Sequence, residues 1–143
     1  MSEESFERTI ERICAADPRY RPAAYVFVRQ GLDFTLKKLM KSGEVAPRQH
    51  ISAAQLLEGI RAHALGQFGP LAREVLGHWG VRTGRDFGEI VFNLIDHGVL
   101  GKNEGDRIED FDDWVSFEEA FEKPFRLNCS VAFRGAPAAG KGA

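Results

Sequence analysis

A chain of 143 residues with 43% hydrophobic residues, 28% charged residues and a formal net charge of -2 has the material for one globular domain with its own core. Near-neutrality removes the general attraction to nucleic acid or anionic membrane that a strongly basic chain would have. No apolar run approaches the ~20 residues of a bilayer span, the acidic start MSEESFERTIERI lacks the charged-then-apolar order of a secretory leader, and Cys14 and Cys129 belong to no paired motif, so reduced thiols in a cytoplasmic protein are expected.

Phe6, Ile10, Ile13 and Cys14 recur at helical spacing and predict a helix over 3–16, ended by Asp17-Pro18. Cys14 lies on its apolar face, which suits core packing better than thiol chemistry. A longer helix is predicted over 22–40, opened by Pro22 in its first turn. Tyr25, Val28, Leu32, Leu36 and Leu39 form its inward stripe, widened by Phe27 and Phe34; a buried strand over 23–28 is the alternative for that short apolar run. Residues 41–47 read as a linker.

Ser52 and Gln55 then form a capping box, with Ile51 and Leu56 at the two staple positions around it. The helix they open carries Leu56, Leu57, Ile60, Ala64 and Leu65 to Phe68, where Gly69-Pro70 breaks it. The next helix starts at Pro70, turns Leu71, Val75, Leu76 and Trp79 inward, and leaves through Gly80. Thr83 caps a third helix, with Asp86 near its positive end and a face of Phe87, Ile90, Val91, Leu94 and Ile95. After Gly98, the pairs Val99-Leu100 and Arg107-Ile108 flank a polar, glycine-containing stretch over 102–106, the pattern of a β-hairpin. Ser116 and Glu119 cap a short helix over 117–122 that Pro124 stops. Residues 127–133 suit a short strand, and the Gly/Ala-rich tail over 135–143 buries nothing, leaving 1–134 as a single helical domain.

The fold expected from this order is mainly α: a winged-helix-like core of three helices plus a small β-hairpin, with two additional N-terminal helices. Leu71–Ile95 resembles a helix-turn-helix unit with Trp79-Gly80-Val81 as its turn, although Phe87 and Ile90 come one residue late relative to Gly80. The helix in the recognition position offers only Arg85 and Asn93 to base edges and phosphates, among three acids, so sequence-specific duplex DNA is not an expected partner. As a set, YRPAAYVFVRQGLDFT (20–35), LLEGIRAHALGQFGP (56–70) and GHWGVRTGRDFGEIVFNLI (77–95) resemble a family of bacterial proteins of about this length, known only by a locus-derived name. That family has no established activity, so the resemblance implies no function.

No residue pattern points to catalysis, a cofactor or a metal. His50, His63, His78 and His97 show no pair at the spacing that places two ligands on one helical face, and no CxxC occurs. A site gathering His63, His78 and His97 is conceivable only in three dimensions. The acids Glu104, Asp106, Glu109, Asp110, Asp112 and Asp113 lack the order of a calcium loop. A G-x-S-x-G elbow is absent, and Gly84 and Gly88 belong to no phosphate loop.

The distinctive feature is charge layout. From 12 to 48, eight cations (Arg12, Arg19, Arg21, Arg29, Lys37, Lys38, Lys41, Arg48) face three anions, a net of +5; from 86 to 122, two cations face twelve anions, a net of -10. Either the halves neutralise each other in the fold, or each recruits a partner of opposite sign. The expectation is a non-enzymatic protein-interaction module that binds a protein partner or itself. Its candidate surface is Arg19, Arg21, Arg29, Lys37, Lys38, Lys41, Asp110, Asp112 and Asp113. The alternative is an RNA- or ribosome-associated protein using the basic half, with Tyr20 and Tyr25 available for stacking.

Overall fold

The structure, a computed structural model, describes residues 3–43, 51–101 and 107–125, and every regular element among them is helical. Five α-helices follow one another: α1 (Glu3–Ala16), α2 (Pro22–Ser42), α3 (Ala53–Phe68), α4 (Ala72–His78) and α5 (Gly84–Asp96). The turns Gly69–Leu71 and Ile108–Phe111 are 3₁₀, and Glu118–Glu122 is a π-type turn.

α2 runs two residues beyond the expected end and stops at Gly43, whose φ of +81° gives the left-handed exit that returns its N–H to Leu39 and Met40 O. It packs antiparallel on α3, with Phe27 opposite His63, Gly31 opposite Ile60, and Thr35 opposite Gly59. The approach at Gly59 is close: a Cβ there would lie 2.6 Å from Thr35 Cβ. Two reciprocal caps start α3 and α5. Ser52 Oγ accepts Gln55 N–H at 3.1 Å while Gln55 Oε1 accepts Ser52 N–H at 2.9 Å. Thr83 Oγ1 accepts Asp86 N–H while Asp86 Oδ2 accepts Thr83 N–H, both at 3.2 Å.

Three expectations need correction. The β-hairpin is not formed: no strand occurs among the described residues, and the winged-helix-like reading fails with it. Gly98, at φ +78°, folds the chain back so that the N–H groups of Val99 and Leu100 both reach Leu94 O, which packs this apolar pair against the core instead of extending it. On the other side of 102–106, which lies outside the described residues, Ile108–Phe111 coils to bring Phe111 into a notch on α5. Gly84 and Gly88 make that notch: a Cβ on Gly84 would lie 2.7 Å from Phe111 O, and one on Gly88 2.8 Å from Phe111 Cγ.

Leu71 is 56% exposed, because the 3₁₀ turn shifts the register and gives the inward place to Ala72. Pro124 does not stop its helix, since the helical backbone continues through 123–125. Pro124 has no N–H to give the carbonyl of Ala120, and Arg61 Nε donates to that oxygen at 3.0 Å. Ser116 does cap this segment, accepting Glu119 N–H at 3.2 Å. The possible strand over 127–133, Cys129 and the tail lie outside the described residues.

Candidate interaction surface

α2 is the longest helix, and its two faces differ. Inward, Ala24, Tyr25, Phe27, Val28, Gly31 and Thr35 are buried. Val26, Phe34 and Met40 are each more than a third exposed, spread over about a third of the helix circumference. Lys37, Lys38 and Lys41 share the C-terminal part of this surface and form no ion pair among the described residues. Phe34 was expected inward. It lies at the rim, 5.1 Å from the His63 ring, which Phe27 flanks at 5.2 Å. His63 Nε2 has no hydrogen-bond partner, and burial holds the imidazole below its ordinary pKa.

Beside this face, a groove of about 470 Å³ separates α2 from α3. Lys38 stands on one rim and Glu58 and Arg61 on the other, with Thr35, Leu39, Ala54 and Ala62 between. The α3 rim continues into the acidic C-terminal segment, where Trp114 Nε1 donates to Glu58 at 3.3 Å.

The cations singled out in the sequence do not form one surface. Arg19 and Arg21 are at the opposite end of α2, ~30 Å from the lysines by helix rise. Arg19 bonds Asp17 at 2.6 Å and pairs with Glu89 at 3.5 Å. Arg21 is exposed, Arg12 is exposed on α1, and Arg29 lays its guanidinium 4.2 Å from the centre of the Phe6 ring. Arg48 lies outside the described residues. Of the acids, Asp112 pairs with Arg85 at 2.9 Å. Asp110 and Asp113 are exposed and form no ion pair among the described residues, Asp110 lying at a small cavity of about 60 Å³ with Arg107.

The N-terminal end of α2 is instead the centre of a polar junction that sequence reading missed. Asn93 Nδ2 donates to Tyr25 OH at 3.0 Å and to Asp17 at 3.1 Å, and Tyr20 OH donates to Asp86 at 2.6 Å. The hydrogen bond from Arg19 holds the Asp17 carboxyl well below the usual carboxylate range. Burial and the Asp86 carboxylate raise Tyr20, and burial pushes Tyr25 up to about 12. Asn93 and Arg85, the two residues of α5 suited to base reading, are therefore engaged within the protein. The sequence signals for the junction were Asp17, read as a helix stop, and Asn93, read as a residue suited to base edges.

The histidines do not converge with acids. His63 lies between two phenylalanine rings, His78 is exposed, His97 Nδ1 stands 2.9 Å from Asn93 O, and His50 is outside the described residues. Among the described residues no group of three His, Cys, Asp or Glu side chains is placed to hold a metal ion. Cys14 directs its thiol toward Tyr20 O at 3.7 Å, and burial, with Asp17 nearby, raises its pKa away from the reactive thiolate. No helix among the described residues is long and apolar enough to cross a membrane. Neither a family model, nor a curated protein, nor a solved structure matches this chain.

Proposed function

We propose that this chain is a non-enzymatic protein-interaction module that docks its partner on the outer face and lysine-bearing end of α2. The observation that carries this reading is the exposure of the large apolar side chains Val26, Phe34 and Met40 along the longest helix, with Lys37, Lys38 and Lys41 interspersed at its C-terminal end. Exposed apolar side chains with polar neighbours are the composition of a protein interface. The alternative, RNA or ribosome binding, loses support because the basic half is dispersed: Arg19 is neutralised by Asp17 and Glu89, and Arg29 is stacked on Phe6. A stripe of unpaired cations following a phosphate backbone would be needed. The internal engagement of Asn93 and Arg85 speaks likewise against sequence-specific duplex DNA.

The test is affinity purification of the tagged chain from its native cell, with and without nuclease, beside the Phe34→Asp, Met40→Asp double variant. Protein partners that survive nuclease and are lost from the variant are the expected result. Recovery that depends on RNA and is unchanged in the variant overturns the reading in favour of the alternative.

A further inference from the structure

We propose that His63, held between the rings of Phe27 and Phe34, is an acid-sensitive latch: neutral, it fastens the C-terminal part of α2 to α3, and protonated, it releases Phe34 and the helix end beyond Thr35 while the rest of the core stays folded. The latch does not depend on what docks on α2. His63 projects from α3 into the contact with α2, its ring centre 5.2 Å from that of Phe27 and 5.1 Å from that of Phe34. Seven residues of helix separate the two phenylalanines by about 10.5 Å, which is room for one aromatic ring between them. The ring planes are inclined by only 31° and 39°, so the imidazole lies between two ring faces. Nε2 is buried there without a hydrogen-bond partner.

A neutral imidazole tolerates this place, since the nitrogen left alone is uncharged. The imidazolium does not. Both of its nitrogens are donors, and the charge and the Nε2–H bond are shut away from water together. The phenyl faces attract a cation, but an N–H bond lies in the imidazole plane and points past both of them. No nearby charge offsets the cost. On α2 the charges next to Phe34 are Asp33, Lys37 and Lys38, all exposed, and Arg29 is stacked on Phe6. On α3 Glu58 and Arg61 pair with each other. On α4 Arg73 pairs with Glu122, while Glu74 and His78 are exposed. Burial alone moves the His63 pKa, and moves it down. The closed form is therefore fully favoured above the ordinary histidine value of about 6.5, and it weakens as pH falls through that value toward the lower one. What opens is set by the packing. Phe27 is fixed by Phe68 and Trp79, each at 5.6 Å. Phe34 is 37% exposed, and beyond Thr35 α2 has no buried residue. Releasing Phe34 with residues 36–42 uncovers Nε2 without moving any residue of the buried core, which is the pattern of a local opening.

Two measurements on the full chain test the latch between about pH 7.5 and pH 5. Ring resonances follow each histidine separately. His63 is expected to titrate below the ordinary range, and to return toward it in Phe34→Ala, which uncovers the ring. Hydrogen–deuterium exchange compares wild type with His63→Phe, which keeps a ring in the slot and takes up no proton. Reading both proteins at each pH cancels the intrinsic pH dependence of exchange. On acidification, residues 36–42 of wild type are expected to lose protection about threefold or more relative to the variant, while α1 and α5 keep theirs. Four results each overturn the latch: a His63 that titrates at the ordinary value, a Phe34→Ala ring that titrates as in wild type, a protection ratio between wild type and His63→Phe that does not change with pH, or protection lost from α1 and α5 together with the end of α2. If His63→Phe does not fold, the same ratio is read against Phe34→Ala, whose helix end is expected to be equally open across the range; a ratio that stays constant there overturns the latch as well.

Discussion

At the N-terminal end of α2, side chains from three parts of the chain exchange hydrogen bonds: Asp17 and Tyr25 accept from Asn93, Arg19 donates to Asp17, and Tyr20 donates to Asp86. At the C-terminal end the helix is held by shape, with Thr35 filling the space left by Gly59, and beyond that contact Lys37, Lys38 and Lys41 stand without ion pairs among the described residues. A count of cations treats the two ends alike. In the folded chain one set of charges belongs to the architecture and the other is open to a partner. The comparison also separates two ways of fixing a helix, by directional bonds and by close packing, which respond differently to substitution.

The sharpest way to break the comparison is at the packed end. Gly59→Ala adds one methyl group where Thr35 already lies, and overpacking of this kind costs about 1–3 kcal/mol. Alanine favours a helix over glycine by about 1 kcal/mol, yet a net loss of about 2 kcal/mol in chemical denaturation is expected because the clash involves a buried β-branched side chain with little room to move. A denaturation midpoint at or above that of wild type would show that the two helices are free to separate there.

At the bonded end, Asn93→Ala removes one donor shared by two acceptors. A destabilisation of about 1–2 kcal/mol is expected, since the Tyr25 hydroxyl and the Asp17 carboxylate are both left short of a partner. If Asn93→Ala melts with wild type, the junction is decoration on an interface held by its apolar side chains.

The junction also makes a smaller, pH-dependent contribution. The folded-state pKa of Asp17 is depressed, below an unfolded value of about 3.9. Its stabilisation is complete above the unfolded pKa and disappears as pH falls through that value toward the folded one. Wild type is thus expected to lose its stability advantage over Asp17→Asn below about pH 4, which parallel melts at pH 7 and in acid would register. A constant difference across that range would exclude Asp17 as the linked group.

The smallest effect on stability is expected where the surface is open. Replacing Lys37, Lys38 and Lys41 together with Gln should leave the denaturation midpoint within about 0.5 kcal/mol of wild type, as substitutions of exposed, unpartnered side chains do, while association weakens. A larger loss of stability would mean that the lysines serve the fold, and the contrast between the two ends of α2 would vanish.

What could be read along the chain was whatever is decided within about one helical turn. Ser52 with Gln55, Thr83 with Asp86, Pro22 and Gly80 all act on neighbours no more than a few residues away, so the ends of α3 and α5 and the exit from α4 were visible in the spacing of residue types. The apolar periods of α1, α2, α3 and α5 were visible for the same reason. Two apolar pairs around a polar stretch, by contrast, satisfy a hairpin and a coiled segment equally well, and the choice fell to Gly84 and Gly88, whose missing side chains receive Phe111 from more than twenty residues away. Burial followed the same rule. Phe27 and Phe34 lie two turns apart on one helix, yet Phe27 is enclosed by the rings of His63, Phe68 and Trp79 while Phe34, among the rings of the described residues, meets that of His63 and stays at the rim. Which charges are paired and which remain open was likewise decided by what distant segments bring alongside, because an ion pair depends on distance in space, to which the order of residues along the chain gives no measure.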